Sequence, residues 1–165
     1  MVKPNETMLL KANLKQLRLP TIGAEFEKLA TEATASNQTF QQYLLRLTEL
    51  EVATRQTNAL TSRIRQANFP VEKDLETFDF SASKAVNKQK VLELARCEWI
   101  TQRSNVCLLG QPGTGKTHLA VALGNSAARH GHKVRFFTAA GLVNQLEEKQ
   151  KNYQLDRFLN QLDRT

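Results

Sequence analysis

The chain has 165 residues, with 23 Lys+Arg against 16 Asp+Glu and a formal net charge of +7. Its 41% hydrophobic and 24% charged residues are those of an ordinary globular chain, which excludes a wholly disordered tail, and the length suits one domain or two small ones. No stretch approaches the roughly 18 apolar residues of a membrane span, and the apolar run Met8-Leu9-Leu10 is too short for a signal peptide, so a cytoplasmic protein is expected.

The first 70 residues read as a helical module. Leu10, Leu14 and Leu17 recur at helical spacing, and Pro20 either ends that helix or opens the next. Residues 21–35 place Ile22, Phe26, Leu29 and Ala30 on one face. The polar break Ser36-Asn37-Gln38-Thr39 can cap the next helix. That longer helix carries Tyr43, Leu44, Leu47, Leu50, Leu60 and Ile64 towards Asn68, stopping before Pro70.

Residues 71–103 read as a connector containing Phe78 and Phe80, then a helix from about Lys84 to Gln102 with Val91, Leu92, Ala95 and Trp99 along one side. Residues 104–165 hold the remaining elements. Asn105 to Leu109 is a short apolar run of buried-strand type. A Gly-rich turn comes next, then a helical pattern from Leu119 to Ala128, and after Gly131 a second strand pattern from Lys133 to Thr138. Strand, helix and strand at this spacing predict a βαβ unit, and so an α/β fold with a parallel sheet. Cys97 and Cys107, with no CxxC and no paired His, read as reduced thiols rather than a disulfide framework or zinc site.

The turn itself reads Gly110-Gln111-Pro112-Gly113-Thr114-Gly115-Lys116-Thr117 and fits G-x-x-x-x-G-K-[ST], the phosphate-binding P-loop, with His118 directly after it. Glycines let the backbone curl until successive N–H groups face one phosphate, and the helix after the loop adds its own N-terminal donors. Lys116 can reach the β- and γ-phosphates as a point charge, and the Thr117 hydroxyl can ligate Mg²⁺. The pattern comes after a predicted strand and opens a predicted helix, as that mechanism requires. These residues predict binding of a nucleoside triphosphate. His118 is expected on a solvent-facing helix position rather than as a catalytic base.

Hydrolysis also needs acidic residues at the end of a second strand. After Thr117 the acidic residues are Glu147, Glu148, Asp156 and Asp163, and none comes after a β-type run. The charge is uneven as well. Residues 1–80 balance ten Lys/Arg with ten Asp/Glu, whereas residues 81–146 hold nine Lys/Arg against Glu93 and Glu98. The middle stretch therefore suits either a polyanionic partner or a solvated basic surface.

Together, Phe78-Asp79-Phe80, the helix VLELARCEWI, the strand NVCLLG, the loop GQPGTGKTHLAVALG and the segment GHKVRFFTAAGLVNQL resemble the IstB-like ATP-binding proteins. These are AAA+ transposition helper ATPases of insertion sequences, related to DnaC-type helicase loaders. The resemblance covers essentially the whole chain. It implies an AAA+-type parallel-sheet core, ATP and Mg²⁺ as ligands, and assembly on duplex DNA as a homo-oligomer that directs the transposase of the same element. Lys116 and Thr117 carry over as nucleotide and Mg²⁺ positions, with Gly110, Gly113 and Gly115 shaping the loop. Phe78 and Phe80 lie either near the adenine or in a buried structural pair. In the family an apolar strand ending in an acidic pair succeeds the segment that here reads NYQLDRFLNQLDRT. The sequence stops at Thr165, so an incomplete core without turnover is expected: a truncated or frameshifted frame, or one completed by another chain. A helicase loader gripping a replicative helicase is the alternative function. A small P-loop kinase fits less well, given the long helical module ahead of the loop.

Overall fold

A computed structural model describes residues 4–83, 86–163 and 165. It divides into two compact units, Met1–Ala59 and Leu60–Thr165. Among the described residues the regular elements are helices: α1 (Pro4–Gln16), α2 (Pro20–Ala35), α3 (Phe40–Ala67), α4 (Lys88–Leu94), α5 (Glu98–Thr101), α6 (Lys116–Arg129), α7 (Ala139–Lys151) and α8 (Leu155–Leu162), with a 3₁₀ turn at Leu75–Thr77. No helix among them is long and apolar enough to cross a membrane.

In the first unit Leu14, Ile22, Phe26, Leu29 and Leu47 form the core, with Leu19 and Tyr43 packed against it. Pro20 opens α2, where a missing N–H costs nothing. Ala33 joins the buried face of α2, while Ala30 is only half-buried. Thr39 and Gln42 close a reciprocal cap on α3: the Gln42 N–H donates to Thr39 Oγ1 at 3.2 Å, and the Thr39 N–H to Gln42 Oε1 at 2.8 Å. Glu51, buried in the middle of α3, accepts the N–H groups of Thr21 and Ile22 at 2.8 and 3.1 Å. It thus caps the start of α2 from a neighbouring helix, and Arg55 pairs with it at 2.7 Å.

In the second unit α6 is the axis. Val121, Ala122, Leu123, Ala127 and Ala128 are buried along it. Small side chains let neighbours approach closely: a Cβ at Gly124 would meet the Phe69 ring at 2.8 Å. A smaller cluster of Phe78, Val91 and Leu119 lies at the N-terminal end of α6, flanked by Leu75, Phe80, Val86 and Leu108. Helices α7 and α8 pack on each other, and Phe158 of α8 meets Phe137 edge-on at 6.5 Å.

The α/β expectation is overturned. Among the described residues there is no strand and no sheet, so neither the predicted βαβ unit nor a parallel-sheet core of AAA+ type is present. No backbone hydrogen bond joins residues 105–110 to residues 133–138 among the described residues. Val106 and Leu108 are turned inward while Asn105, Cys107 and Leu109 are exposed, so the first segment keeps the alternation of a strand. Alternation without a neighbouring strand provides no ladder, and both segments remain irregular chain. The second segment makes one backbone bond to α3 instead, Phe136 N–H to Ala67 O at 2.8 Å.

The expected helix from Lys84 to Gln102 is two short ones. Lys84 itself lies outside the described residues, and Cys97 takes a left-handed conformation, φ 64°, between α4 and α5. Burial pushes the Cys97 thiol up from its ordinary range. Cys107 is exposed, and both cysteines are free.

Candidate functional site

The loop of residues 110–115 leads into α6. Gly113 and Gly115 have φ of 79° and 83°, in the left-handed region where a side chain is strained. Gly115 has a second reason to lack a side chain. A Cβ there would lie 2.7 Å from Cε2 of Phe78, whose ring sits against the last turn of the loop. Gln111 supplies the other anchor: its carbonyl oxygen accepts from Thr114 Oγ1 at 2.8 Å and from Lys116 Nζ at 2.6 Å.

Gly115 caps α6 through its backbone alone, and its carbonyl accepts the Leu119 N–H at 2.9 Å. The N–H groups of Lys116, Thr117 and His118 therefore have no partner within the helix and face outward from its positive end. The Thr117 side chain is exposed, and those of Lys116 and His118 are half-buried. A cavity of about 880 Å³ opens beside the loop. Gly110, Thr114 and Lys116 line one side, and Val91, Leu94 and Val106 contribute an apolar wall opposite. Pro112 is exposed at the loop's outer edge.

This arrangement can take an anionic group at the loop and a flat apolar group against the wall. Lys116 and the loop residues Gly110, Gly113 and Thr114 line the cavity, and among the described residues no carboxylate lines it to repel an anion. Among the described residues no cluster of three or more His, Cys, Asp or Glu is placed to hold a metal ion.

His118 is not on a solvent-facing position. Its Nε2 lies 3.0 Å from Asp74 O and 3.3 Å from Thr77 Oγ1, and its ring meets Phe78 edge-on at 5.1 Å. Farther along the same face of α6, Asn125 Nδ2 donates to Lys73 O at 2.8 Å and Arg129 pairs with Asp74 at 3.4 Å. Residues 73–78 are thus strapped along α6, and the strap delivers Phe78 beneath Gly115. Sequence reasoning missed the strap; its signal was three polar residues at helical spacings of seven and four, preceded in the chain by a connector rich in backbone acceptors. Of the two aromatic possibilities the structure selects the structural one. Phe78 is buried in the core with Phe80 at 4.8 Å, and neither lines the cavity. Asp79 turns away to bond Ser81 and the Ala82 N–H, and the Ser81 hydroxyl chiefly holds its carboxyl below the ordinary range.

Glu147 and Glu148 are exposed on α7, and Glu148 meets Lys149 at 3.7 Å.

Residues 12–165 match the family model described as IstB-like ATP binding protein. The chain is 34% identical over 144 residues to a Geobacillus stearothermophilus protein named for ATP binding in insertion sequence IS5376, covering 87% of this chain and 57% of that one. It is also 34% identical over 153 residues to a Pseudomonas aeruginosa protein named likewise for insertion sequence IS21, covering 93% and 58%. A Sinorhizobium fredii insertion-sequence protein, also named for ATP binding, is 32% identical over 152 residues, covering 92% and 51%. The chain therefore spans between half and three fifths of the length of these curated relatives.

Proposed function

The chain belongs to the family of IstB-like ATP binding proteins, and from that premise we propose that it is an ATP-binding helper of insertion-sequence transposition that works on duplex DNA. The observation that supports the nucleotide part is the start of α6, opened by Gly115 with no side-chain cap, beside a cavity lined by Gly110, Gly113, Thr114 and Lys116 and by apolar side chains. In this reading residues 110–118 hold the phosphates, by backbone donors and by the Lys116 ammonium. Lys116 then exchanges its bond to Gln111 O for the phosphate oxygens. The apolar wall takes the base. Mg²⁺ bound through the nucleotide phosphates would neutralise their charge, and Thr117 Oγ1 is the residue that would hold it.

Among the described residues no carboxylate lines the cavity to polarise an attacking water. The chain binds ATP weakly and does not turn it over. Its partners are the transposase of the same element and further copies of itself, in the cytoplasm.

The test is titration of the whole chain with a fluorescent ATP analogue in Mg²⁺, alongside phosphate release. Binding is expected and is lost in Lys116→Ala. Unchanged affinity in that variant overturns the assignment of the loop; steady phosphate release that Lys116→Ala abolishes overturns the absence of turnover.

A further inference from the structure

At the other end of α6 a second cationic pocket lies well away from the loop. Fourteen residues of α6 place it about 20 Å from Gly115. Its volume is about 170 Å³, and Arg63, Gln66, Lys133, Arg135 and Gln161 line it together with Val134 and Thr165, with no Asp or Glu side chain among the described residues. Among the described residues neither Lys133 nor Arg135 has an ion-pair partner. The turn leading into the pocket, Arg129-His130-Gly131-His132-Lys133-Val134-Arg135, is the densest basic run of the chain, and Arg129 alone in it is paired, with Asp74. Arg63 donates to Ala128 O at 3.0 Å, so it covers a carbonyl at the negative end of α6 that would otherwise repel an anion.

We propose that this pocket and the basic turn beside it seat the phosphodiester backbone of duplex DNA. The inference rests on the proposed role of DNA as a partner, and it assigns the contact to named residues. Guanidinium forks and amide N–H₂ groups are the donors that phosphate oxygens accept, and Lys133 adds a point charge at the rim. Two free cations, two residues apart in the chain and lining one pocket, meet neighbouring phosphates of a strand better than they meet a single carboxylate.

The test measures anisotropy of a labelled 30-base-pair duplex of arbitrary sequence with the whole chain, across a KCl series. Each phosphate contact contributes about −0.9 to the slope of log K against log salt. Lys133→Ala/Arg135→Ala should therefore flatten the slope by about 1.8. If the 1 M intercept is unchanged, affinity at 0.1 M falls roughly 60-fold. ATP-analogue binding and Trp99 emission should be unchanged, and Lys133→Gln/Arg135→Gln, which keeps polar side chains on the surface, should behave the same way. Lys151→Ala, an exposed cation outside the pocket, should leave the slope within a few tenths. Wild-type slope in both double variants, or an equal loss in Lys151→Ala, overturns the site while leaving DNA as a partner. No salt-dependent binding by the wild type overturns DNA as a partner and the site together. Competition by a few millimolar inorganic phosphate makes the pocket a site for a small free anion and overturns the assignment to the polymer backbone.

Discussion

Replacing Gly115 by alanine tests whether Phe78 and the loop are packed as one piece. The geometry imposes two separate costs. At φ 83° an alanine carries the left-handed penalty of about 1–2 kcal/mol. Its methyl would also stand 2.7 Å from Phe78 Cε2 and 3.3 Å from Cζ, and relieving that overlap in a filled core costs about 1–3 kcal/mol more. The sum, about 2–5 kcal/mol, is a large part of a typical domain's stability. Phe78→Leu alone removes the ring and leaves a void, at about 1–2 kcal/mol. The double variant separates the two costs: the overlap disappears with the ring while the backbone penalty stays. The pair should then be less destabilised than the sum of the singles by about 1–3 kcal/mol. Urea unfolding monitored at Trp99 reads this directly, since it is the chain's one tryptophan and lies in the same unit, its indole N–H bonded to Leu94 O at 2.9 Å. Additivity within about 0.5 kcal/mol would refute the reasoning, because it would mean that ring and glycine do not collide.

Two further predictions concern the strap and the first unit. His118→Ala removes the imidazole contacts to Asp74 O and Thr77 Oγ1, so the amides of Thr77 and Phe78 should lose protection from hydrogen exchange by about tenfold, equivalent to the roughly 1.4 kcal/mol of a modest hydrogen-bonded tie, while protection in α2 is unchanged. Burial pushes the Glu51 carboxyl up, but the Arg55 guanidinium and the N–H groups of Ile22 and Thr21 outweigh it and hold the group below its ordinary value of 4.5. A carboxyl depressed on folding contributes stability that is complete above its unfolded pKa and is lost as pH falls below about 4.5 through the lower folded value. Glu51→Gln should therefore unfold at a lower temperature than wild type at pH 7, and the difference should shrink below pH 4 in a calorimetric pH series; a difference independent of pH would refute the capping role.

The helical parts were legible where a residue type has one local meaning. The polar break ending in Thr39 marks a helix start, and Thr39 caps α3, whereas Pro20 fits the end of one helix or the start of the next and the structure places it at the first turn of α2; the loop glycines with Lys116 and Thr117 carry their geometry in their identity. Helix ends were less legible because they do not use glycine. The N–H groups of Leu19, Gln38, Ser104 and Gln154 each reach back five residues to close a helix end, and the left-handed residue before each is Arg18, Asn37, Arg103 or Tyr153. Gly131 alone obeyed the rule that a glycine marks the stop. Cys97 breaks the expected helix of residues 84–102 in the same left-handed way, and nothing in its side chain announces it.

The strand assignment failed for a different reason. A short apolar run with alternating burial fixes which side chains turn inward, but whether it becomes a strand depends on the edge of another segment, which local pattern does not encode. The strap was illegible for the same cause, since Asn125 to Lys73 and His118 to Asp74 span 52 and 44 residues.

The uneven charge acquires a physical reason from α6. A helix offers an anion one favourable end, and here the N-terminal end adjoins the loop, whose cavity is lined by the cations Lys116 and Lys90. The C-terminal end presents carbonyl oxygens and is hostile to phosphate unless cations are brought in from outside the helix. Arg63 caps Ala128 O, and among the described residues Lys133 and Arg135, the two cations of residues 81–146 that come after α6, stand beside it without an ion-pair partner. The loop end and the proposed DNA-contact end of one helix thus differ in composition: glycines with Lys116 and Lys90 at one, Arg63, Lys133 and Arg135 at the other. Around the carbonyl end of the same helix, cations from α3 and from the segment after α6 line one pocket to which, among the described residues, no Asp or Glu side chain contributes.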